Sequence, residues 1–220
     1  MEDLVSISFE DSHNFAGELV TTGGLDKSYA LIRNIDLSGE IYSDSLVVGE
    51  FTGELNGYDR SLLNLSISSD NSDIGLFESI GSNAQIINLI VIDFDIQGTS
   101  QVGTLAGKIN NAGNIIISNI EVSANVTGSN MNTGGLIGKV SNLDDKITIS
   151  SITINGNVFG TGNVGGMIGD LFSFSHPIKF EKIQLNGNVL INNNVTVNGR
   201  GNGWKYGGLI GEVYNDNTSK

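Results

Sequence analysis

Few side chains here have types and spacings suited to chemistry, and each can be set against the reaction it would serve. The two histidines are His13 and His176. Zinc sites usually place ligands close together in sequence, and these two stand far apart, with no His-Glu-x-x-His or His-x-His around them. We read both as solvent-facing turn residues and assign no metal. Carboxylates come in pairs at Asp70/Asp73, Asp93/Asp95 and Asp144/Asp145. Asp93 and Asp95 share a parity, so a strand would point both to one face, the arrangement for acid/base work or for a hard cation. The EF-hand and glycine-rich nonapeptide calcium spacings are both absent, which favours solvated turn carboxylates. There is no Gly-x-Ser-x-Gly elbow, and the glycine motifs lack the Lys-Ser/Thr of a phosphate loop. A groove for an acidic polysaccharide would want clustered basic residues or a dedicated calcium site, and Arg33, Arg60 and Arg200 are far apart in sequence and fall in coils 1, 2 and 6. What remains is Arg200, Asn202 and Trp204, where the only tryptophan stands beside an amide and a guanidinium. An exposed Trp of this kind can stack a sugar ring; a Trp plugging the open end of the fold is the competing structural role. These three are the candidate ligand-binding residues. No catalytic residue, metal or cofactor is assigned.

The elements that must position them form a repeat. Gly134-Gly135-Leu136-Ile137-Gly138-Lys139-Val140 returns as Gly165-Gly166-Met167-Ile168-Gly169-Asp170-Leu171 and as Gly207-Gly208-Leu209-Ile210-Gly211-Glu212-Val213. A weaker copy begins at Gly103, and still weaker ones at Gly49 and Gly75. A second anchor is Asn followed by alternating apolar residues at Asn34, Asn64, Asn88 and Asn119, continuing with Ser151 and Lys182 in place of Asn. Its steps are 30, 24, 31, 32 and 31 residues. The apolar residue within the glycine motif (Phe51, Leu76, Leu105, Leu136, Met167, Leu209) keeps step with it. Two anchors in step over about six units predict a stacked array.

Each unit reads as strand. Apolar residues fall at period 2, β-branched residues dominate, and Gly/Asn-rich turns such as Val126 to Asn130 separate the runs. Units of one direction joined by short turns predict an all-β fold, a parallel β-helix of about six coils starting near residues 34, 64, 88, 119, 151 and 182. Leu136 and Val140 should point inward. Asn34, Asn64, Asn88 and Asn119 should fall at one point of successive coils, and Asn125, Asn157 and Asn188 at another, so that their amides form ladders. Tyr206 takes the place of Val48, Val102 and Val164 and should be core. Coil 2 is short, with Glu78 where the motif expects its last glycine, and Thr104 replaces another glycine of the motif. Coil 6 carries about eleven extra residues between Ile191 and Tyr206. Insertions in such arrays map to loops on one face, often a binding face.

Residues 1–28 do not repeat. They are expected to be an N-terminal cap, with a strand over Leu4–Phe9 and a short helix from Asp11 or Ser12 to about Leu19 or Val20. The solenoid would occupy residues 29–220. Met1-Glu2-Asp3-Leu4 lacks the basic and apolar regions of a signal peptide, and no run approaches the ~18 apolar residues of a membrane span. The open-ended repeat suggests a piece of a longer polypeptide. With 11 Lys+Arg against 24 Asp+Glu, the formal charge is −13, which argues against nucleic acid as a partner. Zero cysteines exclude disulfides and thiolate metal sites.

Gly135-Leu136-Ile137-Gly138, Gly208-Leu209-Ile210-Gly211 and, with Met, Gly166-Met167-Ile168-Gly169 resemble the GLUG motif found in arrays in bacterial secreted and surface proteins. The resemblance covers about residues 29–214. It implies a β-solenoid region of a bacterial adhesin, or the accessory region of a secreted protease such as the IgA-specific metallopeptidases, and it supplies no catalytic residues. The function expected is non-enzymatic: an extracellular or cell-surface segment that adheres to a host glycan or protein receptor, or serves as a rigid presenting rod. A polysaccharide-degrading β-helix enzyme and a metallopeptidase accessory region are the alternatives.

Overall fold

The strands bend at single residues that reverse their parity. In Ile115–Gly128, Ile115 and Ile117 are buried, then Ile120, Val122, Ala124 and Val126. The switch from odd to even falls at Asn119, whose φ of 55° is left-handed. Ile147–Gly160 does the same at Ser151 (φ 55°). Asn is among the few residues that visit this region at small cost, which is why the sequence anchor reads Asn, then apolar at the first and third following positions. A computed structural model of the chain describes residues 4–7, 24–110, 113–143, 146–174, 178–191 and 206–214. The expected helix from Asp11 or Ser12 to Leu19 or Val20, both histidines and the Asp144/Asp145 pair lie outside the described residues.

Three sheets wrap one core, and every pairing within them is parallel. Sheet I carries Ser28–Leu31, Glu54–Leu63, Gln85–Gly98, Ile115–Gly128, Ile147–Gly160 and Ile178–Ile191, in that order, with Leu4–Ile7 paired outside the first. Sheet II carries Val47–Phe51, Phe77–Ile80, Ala106–Asn110, Ile137–Leu143, Ile168–Phe174 and Ile210–Tyr214. Sheet III is short: Thr133–Gly134, Val164–Gly165 and Tyr206–Gly207, prolonged by the bridges of Val102 to Ile74 and to Thr133. The result is the expected parallel β-helix. Its six rungs enclose about five full turns, one fewer than the six coils counted in the sequence. Among the described residues there is no helix.

The core is a set of columns running along the rod. Leu55, Ile86, Ile117 and Ile149 stack in one; Phe77, Ala106, Ile137 and Ile168 form another. All are fully buried. Leu136 and Val140 face inward as expected, and so does Ile137. The backbone turns between Leu136 and Ile137, where both N–H groups donate to the Met167 carbonyl, so two neighbours share the core.

Three registers differ from the repeat read in sequence. Asn64 does not stack on Asn88. Leu63 pairs with Ile92 and Ser66 with Asp95, which sets Asn64 level with Asp93, both left-handed. The cause is a bulge: Gly57, Tyr58 and Asp59 lie opposite the single residue Asn88. Nor does Asn34 belong to that stack, since its Oδ1 accepts from the Ser61 N–H. The real ladder runs Asn119 Nδ2 to Asn88 Oδ1 (2.9 Å) and Asn88 Nδ2 to Asn56 Oδ1 (3.1 Å). Phe51 pairs with Ile80, in the column of Ile109 and Val140, so the residue level with Leu76 in the first coil is Leu46. Val48 is 51% exposed and stands outside the Val102/Val164 column; Tyr206 does pair with Val164. The second expected ladder forms at Asn157 Nδ2 to Asn125 Oδ1 (3.0 Å), with Asn188 level with Asn157.

Ser151 continues the Asn56–Asn88–Asn119 position in the next coil. Ser151→Asn suits the left-handed backbone and offers an amide to Asn119. It should stabilise by about 1 kcal/mol, raising the melting temperature by ~2–4 °C; a lowered Tm would contradict the ladder.

Candidate functional site

Three places in the rod are candidates for a site. The first is the coil 6 insertion. Strand Ile178–Ile191 ends level with Gly160, and Tyr206 resumes level with Val164. The preceding coil spans the same corner with residues 161–163, whereas residues 192–205 lie here. The extra length therefore falls at the turn from sheet I to sheet III. Arg200, Asn202 and Trp204 lie outside the described residues.

The second is a polar cleft on sheet I, lined by Ser38–Ile41, Asn64, Ser66 and Asp93, with a volume of about 460 Å³. It continues across Asp93 into a smaller depression lined by Asp95, Ser123, Asn125 and Gly156, of about 210 Å³. The left-handed turns at Asn64 and Asp93 build it, because they swing the following residues inward and leave their own side chains outside. Asp93 and Asp95 are both exposed and both line the smaller depression, while Phe94 between them is buried. Beside the cleft, Asp36 Oδ1 accepts from Asn64 Nδ2 (2.9 Å) and from the Ser38 N–H (3.0 Å). The Asn64 amide, then Ser38, hold the Asp36 carboxyl below its ordinary range. A depressed carboxylate stabilises the fold above its unfolded pKa, and this contribution is lost as pH falls through the folded one. Asn64→Ala should move the Asp36 midpoint back up in a ¹³C-detected carboxyl titration; an unmoved midpoint would remove Asn64 as the cause.

The third place lies along sheet II. Lys108, Lys139, Asp170 and Glu212 directly follow the last glycine of successive motif copies and stand level in adjacent rungs. Alternation alone places them in solvent. Instead the column is partly covered, and Asp170 is only 7% exposed. Lys108 makes a tight ion pair with Asp73 at 2.6 Å. Lys139 approaches Asp170 only to 3.8 Å, with its Nζ 5.4 Å from the centre of the Phe172 ring. Asn163 Nδ2 donates to Glu212 Oε2 (2.7 Å) and to Asn132 Oδ1 (3.1 Å). Burial pushes the Asp170 carboxyl above its ordinary value; Lys139 partly offsets this and Glu212 adds to it. The signal for this cluster was present in the sequence as the residue after each repeat glycine. Its burial was not, because the cover comes from other parts of the coil.

Chemically, the cleft presents hydroxyl, amide and carboxylate groups able to bond sugar hydroxyls. Among the described residues no three His, Cys, Asp or Glu side chains are grouped to hold a metal ion. No helix of the described residues is long and apolar enough to cross a membrane.

No protein-family model matches the chain, so the likeness to GLUG-motif proteins rests on the Gly-Leu/Met-Ile-Gly copies themselves. Over 132 residues the chain is 33% identical to halomucin of Haloquadratum walsbyi, an alignment covering 54% of this chain and 1% of that protein. The chain thus matches a very small part of its relative. In three dimensions it is similar to the crystal structure of a Bacteroides ovatus protein provisionally assigned as an immunoglobulin A1 protease. The TM-score is 0.62 at 16% identity, over 94% of this chain and 84% of that one. This likeness establishes a shared solenoid fold.

Proposed function

We propose that the chain is a non-catalytic segment of an extracellular or cell-surface protein, a stiff rod that presents its corner insertion and polar cleft to a host glycan or protein receptor. The observation that carries this reading is the division of labour along the coils. Inward columns are filled with apolar side chains on rung after rung, while the polar cleft lies on the outer side of sheet I and the extra length of coil 6 falls at a corner, where both can vary without disturbing the core. The partial match to halomucin, and the shared fold with a protein provisionally assigned as an immunoglobulin A1 protease, support a place outside the cell. Arg200, Asn202 and Trp204 remain the proposed contact residues, with Trp204 stacking on a sugar ring. The rod itself would sit within a longer polypeptide.

The test is a glycan array probed with wild type and Trp204→Ala at matched melting temperature. Binding that drops at least about tenfold in the variant, the loss of roughly 1.4 kcal/mol of stacking, supports adhesion through the insertion. Binding unaffected by the substitution overturns that assignment. Turnover of an acidic polysaccharide by the wild type would overturn the non-catalytic reading. The likeness to the Bacteroides ovatus fold favours a second reading, the accessory region of a secreted metallopeptidase. A His-Glu-x-x-His motif encoded in the same open reading frame is its discriminating observation.

A further inference from the structure

The Lys139–Asp170–Glu212 column is not used by any reading of the surface, and its arrangement is unusual for an ion pair. Two lysines stand one rung apart on the same face. Lys108 closes on its carboxylate to 2.6 Å, as a surface pair does. Lys139 is held off Asp170 at 3.8 Å, beside an aromatic ring. Asp170 lies between an amine on one rung and a second carboxylate on the next, and its side chain is nine-tenths buried. Water has little access to it. Glu212, in turn, is oriented by the Asn163 amide at 2.7 Å.

We propose that Lys139 and Asp170 become joined by a side-chain amide, formed by the protein itself with Glu212 as the proton carrier, which staples the fourth rung of sheet II to the fifth. The atoms balance without a co-reactant. Lys139 enters as an ammonium and Asp170 as a carboxylate. Glu212 relays one ammonium proton to Asp170, which burial favours in its acid form. The free Nζ attacks Cγ, the Nζ–Cγ bond forms, and a Cγ–O bond breaks. Glu212 passes a second nitrogen proton to the departing oxygen. Of the three ammonium protons one stays on the amide and two leave with that oxygen as water. Condensation in water is unfavourable between free partners, but fixed neighbours react at effective molarities of ~10⁵ M or more, and burial slows the return of water.

The test is the intact mass of the folded full chain. Wild type should weigh less than its sequence by one water, and digestion should release a branched peptide containing Lys139 and Asp170. Loss of ammonia, the reaction open to the Asn-Gly steps at Asn56, Asn155, Asn186, Asn198 and Asn202, differs in mass and does not count. Lys139→Arg, which keeps the charge, should show the full sequence mass. Glu212→Gln can still accept from Asn163 and should form the link at least about a hundredfold more slowly, the usual contribution of a positioned acid/base. Folded wild type at its full sequence mass overturns the proposal. So does a loss of water that persists in Lys139→Arg, and a Glu212→Gln variant that links as fast as wild type removes Glu212 from its role.

Discussion

Gly138→Val should abolish cooperative folding, or lower the unfolding free energy by more than about 4 kcal/mol, the range reserved for gross misfits. The reason is space. A Cβ on Gly138 would lie 2.3 Å from the Gln101 carbonyl carbon, 2.4 Å from the Val102 nitrogen and 2.6 Å from the Gly107 oxygen. All three are backbone atoms of neighbouring segments, so no rotamer change relieves the clash. The last glycine of the motif meets backbone in every full copy: Gly107 against Asp73 and Ile74, Gly169 against Asn132 and Thr133, Gly211 against Val164. Each lets a sheet II strand lie directly on the backbone of a different coil's corner. Glu78 replaces this glycine in the second coil, level with Gly107, and there its Oε2 accepts from the Gly49 N–H at 2.8 Å instead. Gly208, where an added Cβ meets nothing within 4 Å, provides the control: Gly208→Ala should stay within ~0.5 kcal/mol of wild type. Chemical denaturation of the three proteins decides it. A Gly138→Val midpoint equal to that of Gly208→Ala would refute the close approach.

Phe77→Ala should cost about 3–5 kcal/mol. Phe77 and Phe51 are both fully buried, with ring centroids 4.8 Å apart and planes tilted by 30°. They are the widest side chains in the first two rungs of sheet II, where the later rungs carry Ala106 and Ile109. Removing one ring opens a cavity that the neighbouring columns, fixed by the rungs, cannot close. The pair should also couple: Phe51→Ala and Phe77→Ala together should cost less than the sum of the two by ~0.5–1.5 kcal/mol. Strict additivity in a double-mutant cycle would mean that the rings contribute only through their separate burial.

The parallel β-helix was legible because burial with period 2 recurs with period about 31 residues, and only stacking in parallel satisfies both. Residues whose surroundings repeat, such as Leu136, Val140 and Asn119, could be placed from the sequence. Residues at which the repeat changes length could not. The 24-residue step from Asn64 to Asn88 signalled a change without saying whether Asn64 or the bulge at Gly57–Asp59 absorbed it. The structure puts the compensation in both, with a second left-handed residue at Asp93. Ile137 was missed as a core residue because period 2 assumes an unbroken strand, and the backbone turns just before it. Asp170 was missed for a different reason. Its parity is right, but alternation along one strand does not describe the cover that Lys139 and Glu212 supply from the rungs on either side. The polar cleft was read only as a pair of exposed carboxylates, since its walls come from coils far apart in sequence.

The parallel pairing sets how the rod would respond to force. Its inter-rung hydrogen bonds point along the rod axis, and the chain leaves each rung at one end. A pull on the two termini therefore peels bonds a few at a time rather than shearing a whole sheet at once. Each coil of about 31 residues that peels away would release roughly 100 Å of chain at ~3.3 Å per residue, while shortening the rod by only the ~4.8 Å rung spacing. Such a spool would yield length at nearly constant tension, one coil at a time.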